Sequence, residues 1–170
     1  MTAVPGWPVS PGCCVRVHGV SLGSRLDQLL REDVGVAVTD ARPPAHAGSY
    51  AQIVRVPTAT VQRTLAAAAP AERSELDTYL SELLGWYADG VRDTSAALPP
   101  PFLVLLVAGP DTFDTDTAER AAAVLRTHLG ALPGVQLYRG RTLPSPRALR
   151  KLLLEAWWVP YAATGAPYRQ

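Results

Sequence analysis

The chain is short of lysine: Lys151 stands alone against fifteen arginines in 170 residues. Together with abundant alanine, proline and glycine, this bias has the stamp of a GC-rich genome. It also weakens propensity arguments built on alanine. Cysteine is nearly missing as well. Cys13 and Cys14 are adjacent, which excludes the disulfide framework of a small secreted domain. No CxxC, HxxxH or HExxH spacing occurs, so no zinc site is expected. Cys14 and His18 fall on one face of a strand, but at about 3.3 Å per residue they stand ~13 Å apart and cannot share an ion. A GxSxG elbow is absent, and so is a Gly-rich phosphate loop with its lysine. No residue is therefore assigned a catalytic role. The longest apolar run, PFLVLLVAG, is far shorter than the ~20 residues of a membrane helix. The opening residues lack the basic and apolar regions of a signal peptide. These absences lead to the expectation of a soluble, cytoplasmic protein.

What is present suits a single globular domain. A chain of this length can bury roughly 70% of its unfolded surface and needs no covalent staple. Hydrophobic residues make up 48% of it and charged residues 18%. The net charge of +1 hides a segregation: residues 1–69 carry +2, residues 70–120 carry −7 and residues 121–170 carry +6. The economical reading is that acidic and basic segments face each other within the fold or across a self-association.

Hydrophobic periodicity gives the element order β-α-β-β-α-α-β-α-β-α. CCVRVHGV alternates, with Val15 and Val17 on one face and Cys14, Arg16 and His18 on the other. Leu22, Leu26, Leu29 and Leu30 recur at helical spacing, with Ser21 as a candidate cap. VGVAVTD and YAQIVRVP read as strands, and TATVQRTLAAAA as a short helix stopped by Pro70. The longest helix follows, with a stripe of Leu76, Tyr79, Leu80, Leu83, Leu84, Tyr87 and Val91. Trp86 lies at the edge of that stripe, and an acidic face of Glu72, Glu75, Asp77, Glu82, Asp89 and Asp93 lies opposite. FLVLLVAG is apolar without alternation, as a strand covered on both faces requires. A helix then places Ala118, Ala121, Ala122, Leu125, Leu129 and Leu132 towards the core. PGVQLYRGR is a strand, and Ser145 with Pro146 opens the last helix. The fold expected is one α/β domain (α+β being the alternative) with a mixed sheet of about five strands. Residues 1–12 form an irregular arm, 13–158 the domain and 159–170 a tail.

Three regions compete for function. The first is VAGPDTFDTDTAER, with Asp111, Asp114 and Asp116 at the carboxyl end of the most apolar strand. Ligands of parallel α/β folds sit at such ends, and three carboxylates suit Mg²⁺ beside substrate phosphates. A structural account covers the same residues: Asp116 with Glu119 fits an N-cap and its capping-box partner. Asp111 and Asp114 then offset a helix dipole by ~0.3–1 kcal/mol each. The second region is basic, with Arg139 and Arg141 followed by Arg147, Arg150 and Lys151. Arginine forks suit phosphate or an acidic partner, and Tyr138 could stack a base. The sequence pI of about 7.8 lies below the value above ~9 usual for a nucleic-acid binder. The third is the last helix, whose core stripe of Leu149, Leu152, Leu153 and Trp157 leaves Leu154 and Trp158 as an extra apolar pair, followed by Tyr161. Aromatic residues and arginine are the side chains enriched at binding hot spots.

The leading expectation is a non-enzymatic interaction or assembly subunit. It would dock a protein partner or a second copy through Leu154, Trp158, Tyr161, Arg147, Arg150 and Lys151, with no cofactor and no metal. The alternative is a small enzyme or nucleotide- or phosphate-binding domain using loop 109–116, with Mg²⁺. An RNA-binding accessory role is the second alternative.

Overall fold

A computed structural model describes residues 14–42, 50–66, 70–93, 101–107 and 115–153. Five strands alternate with helices: β1 (Cys14–His18), α1 (Arg25–Gln28, continuing as a π-type turn over Leu29–Val34), β2 (Ala37–Thr39), β3 (Ala51–Arg55), α2 (Thr58–Ala66), α3 (Pro70–Asp93), β4 (Phe102–Val107), α4 (Thr115–Leu129) and β5 (Val135–Gly140). A last helix, α5, covers 146–153 of the described residues. The order matches the sequence pattern element by element.

The strands form one sheet in the order β2-β1-β3-β4-β5. The expected mixed sheet is in fact parallel in all four pairings. β2 and β3 flank β1 and both run parallel to it, although they follow one another directly in the element order. A parallel sheet must be covered on both faces, and the side chains divide accordingly. Val15, Val17, Ala51, Ile53, Leu103, Leu105 and Val107 pack under α1 and α5, against Leu26, Leu29, Leu30, Leu149 and Leu153. Val54, Val56, Phe102, Val104 and Leu106 pack under α2, α3 and α4, against Leu80, Leu83, Ala121, Ala122, Leu125 and Leu129. All six residues of β4 are buried, as its unbroken apolar run requires.

Local chemistry sets the helix ends. Ser24, rather than Ser21, caps α1: its hydroxyl accepts from the Asp27 amide. Leu22 consequently lies in the turn before the helix and is 51% exposed. Ser145 caps α5 as expected, accepting from the Ala148 amide at 3.1 Å. Helix α4 begins at Thr115, so Asp116 falls inside the first turn rather than at the cap. α3 is rotated from the expected stripe. Leu80 and Leu83 are buried, while Leu84 and Val91 are 39% and 42% exposed. Trp86 and Gly90 take the inward positions. The rotation follows from Asp89 and Asp93, which leave the predicted acidic face to meet arginines of the sheet side. No described helix is long and apolar enough to cross a membrane.

Candidate functional site

The strand order reverses at β1. From β1 the chain leaves through α1 towards β2. From the adjacent β3 it leaves through α2 and α3 towards β4, on the opposite face. Two neighbouring loops thus diverge at the carboxyl ends of β1 and β3, which is where doubly wound sheets hold their ligands. His18 and Val54 are register partners just below this edge.

The loop after β1 is tightly built. Gly19 takes φ +70°, and a Cβ there would meet the Arg55 carbonyl oxygen at 2.5 Å. Only glycine lets the two chains approach so closely in this conformation. Asp27 then closes the start of α1 on itself. Its carboxylate accepts from the Gly23 amide at 2.7 Å and from Arg31 Nε at 2.7 Å. The Gly23 bond, seconded by Arg31, holds the Asp27 carboxyl below the usual aspartate range against the opposing effect of burial. A carboxylate already fills this amide end, so loop 19–24 is no phosphate cradle. At the end of β3, Arg55 is half-buried on the face shared with Ala51 and Ile53. It forms no ion pair with any described residue.

Below the edge, on the α3 side, runs a strip of polar side chains. The His18 ring is stacked on Trp86 with centroids 4.0 Å apart and planes 14° apart. Gln52 gives its amide nitrogen to the Trp86 carbonyl at 2.7 Å, and its Oε1 lies 2.7 Å from His18 Nε2. With that amide orientation Oε1 is the acceptor, so His18 carries its proton on Nε2. Burial pushes the His18 pKa down, and the neighbouring Arg16 adds to the effect, while Gln52 and Asp89 oppose it. His18 is therefore a neutral, filled position. Farther along, Arg16 meets Asp89 at 3.4 Å. Arg42 grips Asp93 through two nitrogens at 2.8 and 2.5 Å, and the Tyr50 hydroxyl donates to the same carboxylate at 2.7 Å. Arg42 first, then Tyr50, hold the Asp93 carboxyl down at about 2. Burial, followed by the Asp93 contact, pushes Tyr50 up to about 12. This strip clamps α3 across β1 and β3, so it is a structural device.

The residues singled out in sequence fall as follows. Arg139 pairs with Glu119, and Arg141 is exposed. Tyr138 packs against the core, with its hydroxyl donating to the Thr142 carbonyl, so its ring is no free stacking platform. Arg150 donates to the Asp33 carbonyl at 2.6 Å and ties α5 to the end of the α1 turn. Arg147 and Lys151 are exposed on α5. Asp111 and Asp114 lie outside the described residues, as does the side chain of Asp116. Leu154, Trp157, Trp158 and Tyr161 also lie outside them. Among the described residues no group of three or more histidines, cysteines or carboxylates could hold a metal ion. Sequence reasoning missed Arg55. Its only signal was an arginine closing a strand next to Pro57, which period-2 alternation does not distinguish from a solvated edge. Comparison with protein-family models, with curated proteins and with solved structures finds no match for this chain.

Proposed function

We propose that this chain is a small-molecule-binding α/β domain. It takes a phosphorylated ligand, of the nucleotide kind, in the crevice outside the carboxyl ends of β1, β3 and β4. The observation that carries the reading is the reversal of strand order at β1 in an all-parallel sheet, the place where such sheets open a crevice. Arg55, half-buried at the edge and without an ion-pair partner among the described residues, supplies a planar fork matched to phosphate oxygens. In this reading Asp111, Asp114 and Asp116, which follow the neighbouring strand β4, hold Mg²⁺. That ion takes few protein oxygens and bridges to phosphate, so it turns a carboxylate cluster from repelling the ligand to retaining it. His18 is not offered to the ligand, because its ring is covered by Trp86 and its Nε2 bonded to Gln52.

The test is thermal unfolding with a panel of nucleotides and sugar phosphates, with and without Mg²⁺. A ligand at ~100 times its dissociation constant adds about 2.7 kcal/mol, which for a chain of this size raises Tm by roughly 5–10 °C. Arg55→Ala should abolish the rise. No rise with any phosphorylated compound contradicts the reading.

A further inference from the structure

A second opening lies away from the carboxyl-edge crevice, between α2 and α3. It has a volume of about 190 Å³ and is lined by Thr60, Arg63, Thr64, Glu75, Tyr79 and Glu82 among others. Its apolar wall is formed by Leu76 and the Tyr79 ring. At roughly 30 Å³ for each water displaced, it has room for about six waters or a ligand of similar bulk.

Among the described residues its polar lining is rich in acceptors. The Thr64 hydroxyl donates to the Thr60 carbonyl and the Thr78 hydroxyl to the Ser74 carbonyl. Each therefore has only its oxygen lone pairs left to offer. Arg63 is engaged by Glu75 at 2.7 Å, so the one cation of the described lining is neutralised. Glu82 has no cation partner among the described residues and leaves the described lining net negative. Between them lies Tyr79. Its hydroxyl oxygen is buried and has no hydrogen-bond partner, a condition folded proteins seldom leave uncorrected. Burial, with the nearby Glu82 charge, pushes its pKa up, so the hydroxyl stays protonated and uncharged at neutral pH.

The geometry points to a binding site for a small aliphatic primary ammonium compound, whose charged head meets Glu82 and the Tyr79 hydroxyl oxygen and whose chain lies against Leu76 and the Tyr79 ring. An ammonium group brings three donors and a positive charge, which answer Glu82, the threonine lone pairs and the Tyr79 hydroxyl oxygen. A carboxylate of the same length meets Glu82 with like charge, and an alcohol lacks the charge that Glu82 answers. The site does not depend on the carboxyl-edge proposal.

The test uses n-hexylammonium, hexanol and hexanoate as probes in titrations of the ¹⁵N-labelled full chain at neutral pH. We expect hexylammonium to shift the amides of residues 60–64 and 75–82 with saturation. Hexanol should bind at least tenfold more weakly, and hexanoate should not bind. Glu82→Gln, at an exposed position, should weaken hexylammonium binding about tenfold without altering Tm. Tyr79→Phe should also weaken it while leaving Tm unchanged or higher, since it removes an unpartnered buried hydroxyl. A tyrosine that served only packing would leave affinity unmoved in that variant. Equal binding of the three probes, shifts elsewhere in the chain, no saturable shift, or unchanged affinity in both variants would overturn the proposal.

Discussion

At the scale of single residues, the pairings most important to the fold lie where periodicity says nothing. Asp93 reads in sequence as one more charge on a solvated face, yet it collects Arg42 and Tyr50. Distance along the chain hid this: the partners stand 51 and 43 positions away. Asp93→Asn should cost about 2 kcal/mol in denaturant unfolding, the scale of a charge-assisted contact that leaves partners behind. It should also lower the Tyr50 pKa from about 12 in a spectrophotometric titration. The value should stay above 10.0, because burial is the larger cause and persists. The two titrating groups set the acid response with the same sign. Asp93 is held at about 2 against an ordinary 3.8; its stabilising contribution is full above 3.8 and is lost as pH falls towards 2. His18 is held below 6.5, so the unfolded chain binds its proton first. Stability should be full above about 6.5 and begin to fall as pH drops below that value. Urea midpoints between pH 8 and pH 5 check this. A midpoint that rises on acidification, or a His18→Gln variant with the same decline, would contradict it.

At the scale of elements, the sequence was legible wherever a single face is apolar. Helices α1, α4 and α5 bury Leu26, Leu29, Leu30, Ala121, Ala122, Leu125, Leu129, Leu149 and Leu153 of the residues their spacing marks, with Leu22 left outside, and β4 is buried along its whole length. Helix α3 departs because its register answers to charge as well as to apolar area. Asp89 and Asp93 must meet Arg16 and Arg42, which turns Leu84 and Val91 outward. Parallel pairing was illegible for a different reason: the direction of a strand is set by its connection, and periodicity within the strand carries no sign. Helix α5 is integral to the core through residue 153. Leu149 and Leu153 are fully buried, so Leu149→Ala should cost about 3 kcal/mol, against about 1 kcal/mol for Ser145→Ala at the cap. Chemical denaturation of both variants checks the ranking. If Leu149→Ala cost no more than the cap, α5 would not be part of the core. Gly19→Ala should cost more than about 2 kcal/mol, since it adds a left-handed penalty to a contact at 2.5 Å with the Arg55 carbonyl.

At the scale of the molecule, part of the charge segregation is met inside the fold. The acidic segment 70–120 supplies Glu75, Asp89, Asp93 and Glu119, and these meet Arg63, Arg16, Arg42 and Arg139 from the flanking basic segments. That moves the weight of a functional account from the basic stretch to the sheet's carboxyl edge. Half of the proposed site was legible in the sequence. It offered the position of Asp111 and Asp114 after an apolar strand, but not the switch point, which exists only once five strands are ordered. The account's central claim is the location of the ligand at that edge. The most direct measurement is amide shift mapping of a phosphorylated ligand with Mg²⁺ on the ¹⁵N-labelled chain, beside the Arg55→Ala variant. The account predicts shifts centred on residues 54–57 at the end of β3, lost in the variant. Saturable binding whose shifts spare those residues and persist in Arg55→Ala would contradict it.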